Sequence, residues 1–456
     1  MGSRRLRVVE VLDANPVTSP FQLRICLICL LLIILDGFDL FIIGVAAPKL
    51  AAFLHSKPSS LGLAMSASQI GGIIGAVVLG MLADRIGRKW LVITSSLVFG
   101  LFTLLTVGIH SIEELALLRL IAGVGLGGAV TNALAFGSEY APSRLRKTFA
   151  AVMFAGMPMG ALVGGLLAAW FIPQFGWRSL FLFGGVAPIA IALLSIAILP
   201  ESLEFLTIKG KDKARIRNIV ARIAPVLARD EEVEFCPSEE KLPGVPLKNL
   251  FTEKRGPVTI LFWLALAGAF YFVNILVLWE PWILHSAGAT VTQYTLAYAA
   301  YNVGSPAGTI ISGRLMDRYN PFLVLPVGFA VGFLCLVAFG LSLGSPFIMV
   351  VILSVICGFF ISGSQCGTMA LAAVSYPPDI RGTAVGWGYA AAKIGNWCAP
   401  VVVGYLLALG WGGAKICIAN ALVGLFCAVM ILLLRGRSAS AERFRSERAL
   451  AVGMDR

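Results

Sequence analysis

Six long apolar runs, a polar break and six more apolar runs constrain this chain more than any other feature. They fall at about 24–48, 60–83, 90–109, 112–138, 148–171 and 178–199, then at 257–279, 292–315, 321–342, 346–374, 382–408 and 413–434. A helix needs roughly 20 mostly apolar residues to cross the hydrocarbon core, so twelve spans with short connectors are predicted. With 58% hydrophobic residues, 13% charged and a mean hydropathy of +0.88, a water-soluble fold could not hide the apolar surface. The predicted organisation is a tail at 1–23, a six-helix bundle at 24–199, a linker at 200–256, a second bundle at 257–434 and a tail at 435–456.

The net charge of +12 would suit a nucleic-acid binder, but the basic residues lie almost entirely on one side of the predicted spans. With both tails placed in the cytoplasm, 30 of the 36 Lys and Arg fall in the tails and the even-to-odd connectors. Only Lys49, Lys57, Arg178 and Lys415 fall opposite, and Arg119 and Lys393 lie inside spans. This asymmetry satisfies the positive-inside rule and predicts a multi-pass inner-membrane protein with both termini cytoplasmic. Twenty-three residues, ten of them polar or charged, precede the first apolar run, so that run is expected to insert without a cleavable leader. The 200–256 segment, rich in Lys, Arg and Glu with Pro225, Pro237, Pro243 and Pro246, reads as a cytoplasmic linker with short amphipathic helices.

Cys26 and Cys29 form a CxxC inside the first span, where two small apolar residues are the simpler reading than a redox or metal pair. His55, His110 and His285 fall in predicted loops without ligand spacing, so no metal centre, cofactor or enzymatic nucleophile–base pair is expected.

The two halves repeat. Gly80-x-x-x-Asp84-Arg85 returns as Gly313-x-x-x-Asp317-Arg318 at an offset of 233, and Pro142-x-x-x-Arg146 as Pro377-x-x-x-Arg381 at an offset of 235. Transporters built from such repeats place the substrate near mid-membrane, between halves that rock about it.

Four charges inside spans need partners or a cavity. A mid-span Asp, Arg or Lys costs roughly 2.5–3.5 kcal/mol on insertion scales. Lipid exposure of Asp36, Asp39, Arg119 and Lys393 together would therefore cost on the order of 10 kcal/mol. Asp36 and Asp39 stand at i and i+3, on one helical face, where they serve proton or substrate coupling or else lock the helix through Arg119. Tyr298 on the eighth helix and Trp387 on the eleventh offer rings to an aromatic ligand, as core packing also would. Asn274, Ser364 and Gln365 are candidate partners for its hydroxyl or carboxylate, or interhelical hydrogen-bonders.

Gly80-Met-Leu-Ala-Asp84-Arg85-Ile-Gly87-Arg88-Lys89 resembles the signature connector of the major facilitator superfamily. There Gly80 and Gly87 permit close approach and a tight turn, and Asp84, Arg85 and Arg88 can latch one conformation. Asp317-Arg318 repeats it with Tyr319-Asn320-Pro321 in place of the basic ending, so a weaker latch is expected. Arg119-x-x-x-Gly123-x-Gly125-x-Gly127-Gly128 resembles the same superfamily's fourth-helix motif, with glycines that pack helices rather than cradle a dinucleotide. The implied fold is all-α, with twelve transmembrane helices in two six-helix bundles.

The first span, with its Asp36-Gly37-Phe38-Asp39, is similar to the aromatic acid:proton symporters, whose members carry DGxD there. Gly127-Gly128-Ala129 with Asn132, Ser138-Glu139-Tyr140-x-Pro142, Trp279-x-Pro281 and Gly363-Ser364-Gln365 extend the match over nearly all the membrane part. Thr131, where the family commonly has proline, and Lys393, where it commonly has arginine, depart from it. The resemblance implies proton coupling at Asp36 and Asp39. It has Arg119 and Glu139 balancing charge on the fourth helix, Arg381 in the cytoplasmic gate, Lys393 attracting the anion, and Asn132 among the substrate-binding residues. A monomeric proton symporter for a benzoate-type carboxylate is therefore expected. A sugar acid, nicotinate or an aliphatic acid on the same fold is the alternative, and a non-transporting membrane sensor a further one.

Overall fold

The computed structural model describes residues 4–14, 19–210, 212–230, 233–237, 250–252, 255–376 and 378–453. After a short strand β1 (Arg4–Arg7) and helix α1 (Val8–Leu12), six long helices follow. They are α2 (Pro20–Leu54), α3 (Pro58–Ile86), α4 (Arg88–Leu105), α5 (Ile112–Tyr140), α6 (Arg146–Phe175) and α7 (Arg178–Ile198). Short helices α8 (Leu203–Lys209), α9 (Lys213–Ile223) and α10 (Pro225–Arg229) and strand β2 (Val233–Cys236) lead to α11 (Gly256–Ser286), α12 (Val291–Arg318) and α13 (Pro321–Leu341). The tenth span is α14 (Phe347–Cys357) and α15 (Gly363–Val374) joined by a π-helical turn at Gly358–Ser362, and α16 (Pro378–Ala408) and α17 (Gly413–Gly453) complete the chain.

Among the described residues, eleven helices are long and apolar enough to cross a membrane. Among the described long helices, α12 falls short in apolarity alone, being 28 residues in length. Its polarity is turned inward: Tyr294, Thr295, Tyr298, Tyr301 and Asn302 are all buried. Tyr301 and Ser362 share a hydrogen bond of 3.0 Å that seats α12 on the π turn.

The chain forms two compact units, Met1–Leu54 with Ala67–Leu242, and His55–Ser66 with Pro243–Arg456. Two stretches lie at the join of the units. The first turns of α3 belong with the second unit, where Ser66 Oγ donates to the carbonyl of Trp397 at 3.1 Å. In the described part of the 200–256 stretch, the short helices α8 and α9 bury Leu203, Leu206, Ile216, Ile219, Val220 and Ile223 in the core of the first unit. Val8, Val11 and Leu12 of α1 join that core, and β1 pairs in parallel with β2 from Arg4 opposite Val233 to Arg7 opposite Cys236.

The repeat read from the motifs recurs in the packing. A Cβ on Gly160 of α6 would collide with the carbonyl oxygen of Ile34 on α2, and one on Gly395 of α16 with that of Ala267 on α11. Shifting 34 by 233 gives 267, and shifting 160 by 235 gives 395. Gly75 against Val124 and Gly308 against Phe359 repeat with the same two offsets. Small residues are thus spent where helix backbones touch, which is how lipid-embedded helices gain packing energy without a hydrophobic driving force.

Candidate functional site

In the first unit the charged residues of three helices converge. Arg119 of α5 is closed to solvent, and its Nη1 donates to Oδ1 of Asp39 on α2 at 2.9 Å. Its Nη2 donates to Thr103 Oγ1 at 2.9 Å and to Thr106 Oγ1 at 3.4 Å, both at the end of α4. Thr103 in turn donates to Asp39 Oδ1 at 3.2 Å, and the guanidinium carbon stands 5.4 Å from the ring centre of Phe181. Two ions taken out of water this completely cost several kcal/mol each, and only the pairing and the added hydroxyls offset that. Asp36, one turn earlier, is buried at 3% exposure. Asp39 forms an ion pair with Arg119, one of the readings that the shared helical face of the two aspartates left open.

Glu139 does not join Arg119. Twenty residues separate them on one helix, about 30 Å of rise. Instead, Arg88 donates through Nη1 to Glu139 Oε1 at 2.7 Å, and Ser202 Oγ donates to Glu139 Oε2 at 2.6 Å. Beside this pair, Glu201 Oε1 accepts from the backbone N–H of Lys89 at 3.1 Å, and Lys89 Nζ donates to the carbonyl of Ile196 at 2.8 Å. Gly87 makes the turn possible, with φ of 110° and the Glu201 carboxylate where a Cβ would be. The connector motif, the end of α5 and the segment after α7 thus form one charge cluster, and Glu139 belongs to it.

Two other expectations for this cluster fail or fall outside. A Cβ on Gly80 would meet nothing within 4 Å, so Gly80 makes no close approach here. Arg85 is exposed, and the side chain of Asp84 lies outside the described residues. In the second half Asp317 and Arg318 are exposed and Arg318 lies 5.7 Å from the ring centre of Tyr319, with no ion pair to either among the described residues. The side chain of Arg381 is also outside the described residues.

In the second unit a polar patch forms between α11 and α16. Asn274 donates through Nδ2 to the Asn396 side-chain oxygen and to the carbonyl of Phe270 at 2.9 Å. Lys393, one turn before Asn396 and half-buried, holds Nζ 5.1 Å from the ring centre of Tyr389. Tyr271 donates to Asn420 Oδ1 at 2.6 Å on α17, one turn from Asn274. Lys393, Asn274, Tyr389, Asn396 and Tyr271 therefore offer a cation, amides, a hydroxyl and a ring over a few turns. An anion with an aromatic body fits that chemistry.

The remaining candidates are placed elsewhere. Tyr298 is 1% exposed and stacks on Tyr301, so its ring is core in this structure. Trp387 stacks on Trp263 at 6.1 Å and is 45% exposed. Asn132 is buried in the first unit, where Nδ2 donates to the carbonyl of Gly128 at 2.8 Å. Gln365 is half-buried and accepts from the Cys366 thiol at 3.5 Å. Thr103, Thr106, Asn396 and Tyr271 were not predicted. Each is a lone polar residue within an apolar run, a signal too common to stand out before the helices are docked.

The fold and the buried pair define a membrane transporter of the major facilitator type. Residues 25–437 match the family model described as sugar (and other) transporter. Among solved structures the D-xylose-proton symporter aligns with a TM-score of 0.71 at 18% identity over 91% of this chain and 97% of that one. The 4-hydroxybenzoate transporter of Acinetobacter baylyi is 36% identical over 85% of this chain and 86% of its own length. The gallate transporter of Pseudomonas putida is 33% identical over 89% and 90%, and the benzoate transport protein of Acinetobacter baylyi 31% over 89% and 88%. The chain belongs to the aromatic acid:proton symporter family of the major facilitator superfamily, and it is a transporter rather than an enzyme.

Proposed function

We propose that this protein imports a small aromatic carboxylate together with protons by alternating access. The observation that carries the reading is the sealed Asp39–Arg119 pair in a chain whose curated relatives move 4-hydroxybenzoate, gallate and benzoate. Protonation of Asp39 removes the charge that balances Arg119 and leaves a buried cation, so the first unit has different stable packings with and without the proton. Asp39 carries the proton, and Asp36 on the same helical face orients it.

Lys393 draws the carboxylate, while Asn274 and Asn396 set its orientation and Tyr271 or Tyr389 meets the ring. Arg88, Glu139 and Ser202 form the latch that holds the cytoplasmic ends of α4, α5 and α7 together. Both termini and the 200–256 stretch lie in the cytoplasm, as the charge asymmetry requires.

Counterflow in reconstituted vesicles tests the substrate class. Vesicles preloaded with 4-hydroxybenzoate, gallate or benzoate take up labelled 4-hydroxybenzoate, whereas those preloaded with a sugar acid or an aliphatic monocarboxylate do not. Equal counterflow with the aliphatic or sugar acids, or with nicotinate above the benzoates, reassigns the substrate.

A further inference from the structure

Glu280 lies in α11 with no solvent exposure. Its Oε1 accepts a hydrogen bond from Ser354 Oγ at 2.6 Å, and its Oε2 has no hydrogen-bond partner. Among the described residues, the titratable groups within electrostatic reach are Tyr298 and Tyr301 of α12, Cys357 of α14 and Cys417 of α17. None is a cation, and no ion pair among the described residues includes Glu280. A bare carboxylate held this way loses its hydration for a single hydrogen bond, whereas the carboxylic acid is neutral.

The repeat gives this acid a counterpart. The offset of 235 that takes Gly160 to Gly395 takes Arg119 to Ser354. In both halves, then, the same position of the fourth-helix element holds a buried carboxyl on the first-helix element. In the first half a guanidinium holds Asp39, and in the second a hydroxyl holds Glu280. The match is one of helices rather than of positions, because 39 shifted by 233 is Phe272, eight residues or about 12 Å before Glu280.

A cleft lies one turn from Glu280 and Ser354. Leu284 follows Glu280 by one turn, and Val350 precedes Ser354 by one turn and accepts from its Oγ at 3.0 Å. Both residues line a cleft of about 150 Å³ bordered by Ala287, Gly288, Gly344 and Ser345 of the two neighbouring connectors.

We propose that Glu280 is a second proton-binding carboxyl, loaded from water through this cleft, so that each substrate moves with two protons. Each proton adds to a carboxylate oxygen from water on one side and leaves to water on the other. A monovalent carboxylate then carries one net positive charge inward. This rests on the proton-coupled reading above, and the membrane potential separates the two.

In vesicles at equal pH on both sides, an inside-negative potassium diffusion potential drives uptake of labelled 4-hydroxybenzoate by the wild type. The accumulation ratio rises about fifty-fold for each 100 mV. Glu280→Gln, which mimics the acid form permanently, loses the response to potential and responds only to a pH gradient. Wild-type uptake that follows the pH gradient but not the potential, or a Glu280→Gln response equal to the wild type, overturns the proposal and leaves symport standing. Accumulation driven by neither gradient in the wild type overturns both. Infrared difference spectra of the purified proteins keep the question open to refutation if Glu280→Gln does not transport: the wild type shows a protonated-carboxyl band that the variant lacks, and an unchanged band overturns the assignment.

Discussion

Arg119 and Asp39, 80 positions apart in the chain, meet through Nη1 and Oδ1 at 2.9 Å with both side chains closed to solvent. Arg119→Ala leaves the Asp39 carboxylate buried without its cation and is expected to cost about 3–5 kcal/mol of stability. Arg119→Lys keeps the charge but cannot reach Asp39 and Thr103 together through one planar fork, so it recovers only part of that loss. Thermal unfolding of purified protein in detergent reads both. A melting temperature for Arg119→Ala equal to the wild type contradicts the pairing.

Lys393 is the other cation that the sequence places in a span. Lys393→Gln should lower affinity for carboxylates far more than for the matching amides or esters, by roughly tenfold or more if one charge-assisted hydrogen bond of about 1.5–3 kcal/mol is lost. Lys393→Arg should retain transport. Competition of acids and their amides against labelled substrate measures the difference, and equal losses for both would give Lys393 a packing role.

The paired contacts Gly160–Ile34 and Gly395–Ala267 leave no room for a Cβ. Gly160→Leu and Gly395→Leu force α6 from α2 and α16 from α11, and overpacking of this kind costs typically 1–3 kcal/mol. Gly80→Leu, where a Cβ meets nothing within 4 Å, is expected to leave stability unchanged. Melting temperatures of the three variants provide the check, with a stable Gly160→Leu contradicting the close approach.

Topology follows from the charge asymmetry and can be read chemically. In a cysteine-free background, Ala287→Cys, exposed in the connector between α11 and α12, should react with an impermeant thiol reagent added outside intact cells. Val226→Cys, 82% exposed on α10, should react only after permeabilisation. The opposite pattern would invert the membrane orientation.

Much of this architecture was legible because a bilayer restricts what a chain can do. Apolar length located the spans, and the repeated Asp-Arg and Pro-x-x-x-Arg connectors related the halves with offsets that the glycine contacts reproduce. Span ends were less legible. The seventh run ended at 279 by hydropathy, because Glu280 and Pro281 interrupt it, yet the helix passes through Pro281 to Ser286 and carries Glu280 into the interior. Which charges pair was also hidden. Asp36 and Asp39 share a helical face, and only the docking of α4 and α5 decides that Arg119 and Thr103 meet Asp39. The resemblance set Glu139 with Arg119 in the charge balance of the fourth helix, but the end of that helix faces Arg88 and Ser202.

Proton-coupled import of an aromatic acid is tested most directly in vesicles carrying the purified protein, with the outside more acidic than the inside and no membrane potential. Uptake of labelled 4-hydroxybenzoate is compared with that of protein-free vesicles, because the neutral acid itself crosses lipid. The account predicts a faster initial influx in the protein-containing vesicles that is saturable, competed by benzoate and abolished by a protonophore. It also predicts that Asp39→Asn removes this influx while still exchanging internal for external substrate, since exchange needs no net proton release. Asp39→Asn vesicles that take up the acid at the wild-type rate with the same dependence on pH would contradict it.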